Sequence, residues 1–174
     1  MCWYTESRAT IEKLFGDDAD LFCDLLAATS PRKQVKANWR VALRVYNAYK
    51  AGTEIPRTGL MPAHTQNVMR ALRGHELSGP KVSAFAANLK GDHSRVTIDV
   101  WVLRYFKIGK KRITAKQYIE LEKKIQRLAR RHKLSPAAYQ AKIWRESMRR
   151  AGRKPISYTS VSGINQRQFA FMGN

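Results

Sequence analysis

Apolar residues recur along this chain at spacings of three and four. Leu21, Phe22, Leu25 and Leu26 fall on one face of a segment, and Val35, Trp39, Ala42, Leu43, Tyr46 and Tyr49 on one face of the next. Val82, Phe85, Ala86 and Leu89 make a third stripe, and Tyr118, Leu121, Ile125 and Leu128 a fourth. No stretch alternates with the two-residue period of a strand, and no unit of 20 to 50 residues repeats. The pattern predicts an all-α chain of about eight helices.

Boundary residues place the helices. Thr5 is expected to cap a helix from Glu6 to Phe15 that Gly16 ends, and Asp17 or Asp18 to cap the next. Ser30-Pro31 reads as a cap and first-turn proline opening a helix that runs to Ala51, with Gly52 just past its end. Pro62 opens a helix that stops at Arg73-Gly74. Leu77-Ser78-Gly79-Pro80-Lys81-Val82 reads as a tight turn entering a helix from Pro80 to Leu89. Lys90 to Arg95 is a polar return loop, and Asp99 leads a short helix through Val102, Leu103 and Phe106. Thr114 and Gln117 have the spacing of a capping box. Ser135-Pro136 opens the last helix, which Gly152 ends. Residues 155–174, rich in Ser, Gly, Asn and Gln, are expected to be irregular, with Phe169 and Phe171 packing at one end.

Charge adds a partner to this picture. The 174 residues are 44% hydrophobic, enough for a compact domain with a core, yet the net charge is +20. Residues 104–154 alone hold 18 Lys and Arg against 3 Glu. Such asymmetry points to a polyanion, most simply nucleic acid, ahead of an anionic membrane. No run of 18 apolar residues provides a membrane span, and the N-terminus lacks a basic region followed by an apolar core. Cys2 and Cys23 make no disulfide framework and cannot supply the four thiolates of an iron–sulfur cluster. His64, His75, His93 and His132 have no zinc-ligand spacing. The expectation is a cytoplasmic monomer that needs neither metal nor cofactor.

Lys81 is the first residue to suggest chemistry. A cation in the first turn of a helix opposes the positive helix N-terminus. That field, with partial burial, lowers a lysine pKa and frees a nucleophilic amine; the plainer account is an exposed or phosphate-contacting side chain. Asp99 lies 18 residues later, after a return loop, where two helix starts can bring the side chains face to face. Its plainer account is a helix cap.

The pair resembles the signature of the helix-hairpin-helix DNA glycosylases, especially the 8-oxoguanine DNA glycosylase branch. There a hairpin of the type L-x-G-x-G-x-K-V carries a nucleophilic lysine, and an aspartate follows in a V-D-V-type segment. Lys81-Val82 and Ile98-Asp99-Val100 match those pieces. The hairpin departs from the pattern: Gly79 fills the second glycine position, but Leu77 stands at the first and His75 at the leading leucine. The resemblance spans roughly residues 20–150 by short motifs. It implies two helical lobes, residues 30–106 as the hairpin lobe and residues 1–29 with 107–154 as the other, with the active site in a cleft between them and 155–174 as a tail. Some hairpin glycosylases carry an iron–sulfur cluster, but two cysteines cannot ligate one, so none is expected in this chain.

Further roles follow from the same resemblance. Ala138-Tyr139-Gln140-Ala141-Lys142-Ile143-Trp144 is similar to a late helix of that family, where a glutamine and an aromatic four residues on line the pocket for an extruded base. Gln140 would read the base edge and Trp144 would stack on its face, on one side of the helix. Phe85, four residues after Lys81, corresponds to a further pocket position, or is core. Leu25-Leu26-Ala27-Ala28-Thr29 resembles a segment of the endonuclease III branch that precedes the residue filling the gap left by a flipped base. Thr29, Ser30 and Arg32 are expected at the DNA for that reason, although helix capping explains Ser30 more simply. Ser78, Gly79 and His93 complete the expected DNA contacts. The implied activity is cleavage of the N-glycosidic bond of a damaged or modified base with Schiff-base lyase activity. The rival readings are a phage-type thymine hypermodification enzyme on the same fold and a non-catalytic DNA-binding hairpin protein.

Overall fold

The computed structural model describes residues 2–163, and these are helical and turn structure without a strand. The helices are α1 (Trp3–Phe15), α2 (Ala19–Thr29), α3 (Val35–Ala51), α4 (Pro62–Leu72), α5 (Pro80–Lys90), α6 (Val100–Tyr105), α7 (Ala115–Arg131), α8 (Pro136–Arg150) and the single turn α9 (Tyr158–Val161). A 3-10 turn, Gly16–Asp18, joins α1 to α2. The stretch expected to be irregular after residue 155 thus contains α9, capped by the Ser157 hydroxyl at the Ser160 N–H. Phe169 and Phe171 lie outside the described residues.

Tertiary contacts divide the chain into two compact units, Met1–Thr5 with Gly79–Pro155, and Glu6–Ser78 with Ile156–Asn174. The divisions fall at 5/6, 78/79 and 155/156; the resemblance implies lobes that divide near 30 and 106.

In the unit built on residues 6–78, α2 packs on α3 and α4, and α9 on α3. Phe22, Leu25 and Leu26 are fully buried. Phe22 stacks on Phe15 at 3.8 Å between centroids and meets Trp39 edge-on at 5.0 Å. The α3 stripe is rotated from expectation. Trp39 and Ala42 are buried with Asn38, Val41 and Val45, while Tyr49 is exposed. Asn38 explains the shift: its amide donates to the Leu26 carbonyl and the Thr29 hydroxyl, and it accepts from Tyr158.

Two expected caps are corrected here. Asp18 does not cap α2; its carboxylate instead accepts from the Tyr46 hydroxyl at 2.7 Å and pairs with Lys50 at 2.9 Å. Ser30 does not open α3; its hydroxyl donates to Ala27 at 2.8 Å and closes α2, so α3 begins at Val35. Pro31 lies in the intervening turn, where its carbonyl receives His64.

His64 is fully buried. Its Nδ1 accepts from the Met61 N–H at 3.1 Å, so its Nε2 carries the proton and donates to the Pro31 carbonyl at 2.9 Å. Burial holds this imidazole below its usual range. The depressed value fixes the sign: the unfolded chain binds the proton first, so stability is full above the ordinary pKa near 6.5 and is lost as pH falls through the folded value. Urea unfolding midpoints should therefore fall between pH 7 and pH 5, and His64→Gln should flatten that dependence.

In the unit built on residues 79–155, α6 and α7 both pack on α8. Val96, Ile98, Val102, Leu103, Tyr118, Leu121, Ile125, Ala129, Tyr139 and Ile143 form its core. Local signals set these ends as expected. Thr114 and Gln117 bond reciprocally at 3.2 and 2.9 Å, and Ser135 caps α8 at Ala138. Helices α6 and α7 are each followed by a left-handed lysine, Lys107 (φ 56) and Lys133 (φ 54). Their positive charges sit at the negative ends of the two helices.

Candidate active site

Lys81 is carried by the start of α5. Gly79 precedes it with φ 96 and ψ 141, a conformation that disfavours any side chain. A Cβ built there meets nothing within 4 Å, so backbone geometry, not crowding, requires glycine. Pro80 then takes the first helical position, and Lys81 stands half-buried at the second.

Asp99 is carried by the start of α6, which it caps. One carboxylate oxygen, Oδ1, accepts the Trp101 and Val102 N–H groups, each at 3.0 Å, and so caps the helix. The other, Oδ2, accepts the Trp144 indole N–H at 3.1 Å. Burial raises the carboxyl above its ordinary range; the three N–H donors and the Lys81 charge act in the opposite direction. Lys81 and Asp99 stand near the starts of α5 and α6, with 17 residues between them in the chain.

The segment leading into Asp99 is tied from two sides. Asn88 of α5 donates to the Asp92 and Arg95 carbonyls, both at 2.9 Å, and accepts from the Thr97 hydroxyl at 2.7 Å. From α7, the Tyr118 hydroxyl donates to the Val96 carbonyl at 2.6 Å and accepts from the Ile98 N–H at 3.1 Å. Glu122 accepts from the Val96 N–H at 2.9 Å and from Arg95 at 3.0 Å. These bonds position a carboxylate that a flexible loop would leave free to rotate. The sequence alone does not mark Asn88 and Tyr118 as supports of this segment. The available signal was Asn88 itself, an amide interrupting an apolar helix face. Asn88→Ala strands two carbonyls and a hydroxyl together, and should cost about 3 kcal/mol. A lower urea midpoint at unchanged slope would register it.

An aromatic wall stands beside Asp99. Trp144 approaches Trp3 at 5.9 Å between centroids, and Trp3 stacks on Phe85 at 6.4 Å. Tyr4 meets Phe85 edge-on at 6.3 Å and lies 6.5 Å from the His93 ring. Buried Gln140 accepts from the Tyr4 hydroxyl at 2.7 Å, and burial pushes that phenol well above its usual range, so it remains a donor. Lys81, Phe85, His93, Asp99, Gln140 and Trp144 therefore all belong to one compact unit. Trp3 and Tyr4 join them without any signal in the sequence. Thr5 was expected to cap α1, yet the helix begins at Trp3, because burying these two rings outweighs the local cap preference.

Among the other residues expected at the DNA, some are engaged within the fold and others are exposed. Thr29 is fully buried; its hydroxyl donates to Leu25 and accepts from Asn38, so it presents nothing to a ligand. Ser30 is spent on Ala27. Arg32 is exposed, with φ 58 in the turn after α2. Ser78 and Gly79 are exposed, and the Asn67 side chain holds Ser78 through its N–H at 2.8 Å and its carbonyl at 3.0 Å. The carbonyl of His93 accepts from the Ala137 N–H in the first turn of α8. Among the described residues no three His, Cys, Asp or Glu side chains gather to hold a metal ion, and no helix is long and apolar enough to cross a membrane.

The pattern of a family of unknown function, DUF7178, matches residues 1–151. The chain belongs to this family. The DUF7178 match takes in Trp3 and Tyr4 as well as Lys81, Asp99, Gln140 and Trp144, and it stops just before Gly152. No curated protein and no solved structure matches the chain.

Proposed function

We propose that this protein is a DNA glycosylase with associated Schiff-base lyase activity, acting on a damaged or modified base in double-stranded DNA. The observation that carries the reading is the setting of Asp99: a half-buried carboxylate held at one helix start by three N–H donors, one of them the Trp144 indole, with the Lys81 amine at another helix start of the same compact unit. Loss of a base leaves positive charge on the sugar, and a fixed carboxylate stabilises that charge. The unprotonated amine forms a bond to the anomeric carbon while the bond to the base nitrogen breaks, and the base leaves with the electron pair and takes up a proton. Ring opening gives the protonated Schiff base. Loss of an adjacent proton then expels the 3′ phosphate and nicks the strand. Trp144 supplies a ring for the departing base, and Gln140, whose oxygen already accepts from Tyr4, has its amide nitrogen to offer the base edge.

A panel of duplexes, each with one altered base, tests this. The expected result is release of one class of free base with strand nicking. Release from none of them, with duplex binding intact, would leave the binding-module reading in its place. Affinity for undamaged duplex should fall about a thousandfold between 50 and 200 mM salt, as expected for a surface that displaces several counterions. Titrations by fluorescence anisotropy measure this, and a flat response would exclude DNA as the polyanion.

A further inference from the structure

The same unit carries a second feature that the chemistry above does not use. At the end of α6 three aromatic rings lie beneath three cations. The Arg104 guanidinium sits 4.5 Å from the centre of Trp101, Lys124 of α7 lies 5.0 Å from Phe106, and Arg150 of α8 lies 5.4 Å from Tyr105. The rings form one patch: Trp101 and Tyr105 are one helical turn apart, and Tyr105 touches Phe106 edge-on at 5.2 Å. All three rings are half-exposed. The chain then leaves through Lys107, Lys110, Lys111 and Arg112, of which none is buried. The nearby acid is Glu146, which pairs with Arg150.

We propose that this patch is a docking surface for single-stranded nucleic acid, separate from Lys81 and Asp99. Planar guanidinium groups lying on aromatic rings present flat surfaces on which unpaired bases stack, and the basic connector beyond them follows the phosphates. Duplex DNA cannot use such surfaces, because its bases are already stacked. An anionic membrane is less well matched. Its binding needs projecting apolar side chains, and none of the patch's three rings is among the large exposed hydrophobic side chains, Tyr49, Met69, Ile119 and Leu134, of the described residues. The surface does not depend on the glycosylase reading, since neither catalytic candidate takes part in it.

The test compares a labelled 20-nucleotide oligothymidylate with a duplex of equal length by fluorescence anisotropy. The double variant Arg104→Lys/Arg150→Lys keeps the charge and removes the planar groups. Single-strand affinity should fall at least about fivefold while duplex affinity changes less than twofold, since stacking is lost and phosphate attraction is kept. Arg104→Gln/Arg150→Gln should lower both. Equal losses in the lysine variant would overturn the proposal, as would wild-type protein that favours vesicles of anionic lipid over the oligonucleotide. Base release from duplexes is measured in parallel, and it should stay unchanged in the lysine variant. A glycosylase failure therefore leaves this result readable.

Discussion

Lys81→Gln should abolish borohydride trapping of the protein on a substrate duplex. Reduction freezes a Schiff base only where an amine has bonded to the sugar, and the amide cannot form that bond. Glutamine has similar reach, and the exchange takes a cation away from the N-terminus of α5, where it opposes the helix dipole. The fold should therefore be kept, with thermal unfolding at the wild-type temperature or slightly above. Gel analysis after borohydride treatment should show trapped complex reduced to background. If base release persists while trapping and nicking vanish, water is the nucleophile and Asp99 activates it. Full trapping by the variant would show that another amine forms the adduct, and the assignment of Lys81 would be wrong. The charge coupling adds a second consequence. Lys81 helps to keep Asp99 ionised, so any residual base release in the variant should lose activity at a higher pH than wild type does.

Asp99→Asn should slow base release by about a hundred- to a thousandfold while duplex affinity changes little, because the carboxylate acts mainly on charge that develops in the transition state. The amide can still accept the Trp101 and Val102 N–H groups through its oxygen, so α6 keeps its cap. Its nitrogen then faces the Trp144 indole N–H, donor to donor, and that one bond is lost at about 1 kcal/mol. Chemistry and architecture separate on a duplex that already contains an abasic site. There Asp99 has no base to expel, and the variant should still be trapped through Lys81. Loss of trapping on that substrate as well would mean that Asp99 shapes the site and does not act on the sugar cation. In wild type, the ionised form of Asp99 is the active one and burial raises its pKa. The acidic limb of base release should therefore lie above 3.8, the ordinary value for an aspartate, and single-turnover rates across acidic pH would place it.

Local chemistry in the sequence determined where most helices begin and end. Gly52 and Gly91 end α3 and α5 in left-handed conformations, Thr114 and Gln117 close a reciprocal cap, Ser135 caps α8, and Asp99 caps α6. Each depends on partners within about five residues, so its signal survives in a single sequence. The candidate pair was legible for the same reason, since Lys81 and Asp99 each stand at a helix start that the sequence marks. What local pattern left open was decided by packing. Ser30 had a proline after it and looked like the cap of α3, yet the last turn of α2 claims its hydroxyl. Thr29 was expected at the DNA, but Asn38, nine residues on, takes its hydroxyl into the core. Trp3 and Tyr4 carry no motif, and the bond from Tyr4 to Gln140 joins residues 136 positions apart. The hold of Asn88 and Tyr118 on the segment before Asp99, and the seating of Arg150 over Tyr105, likewise become visible only in three dimensions. Helix ends are set by hydrogen bonds between sequence neighbours. Buried aromatic and amide partners are chosen by which side chains fill a common volume, and chain order does not encode that choice.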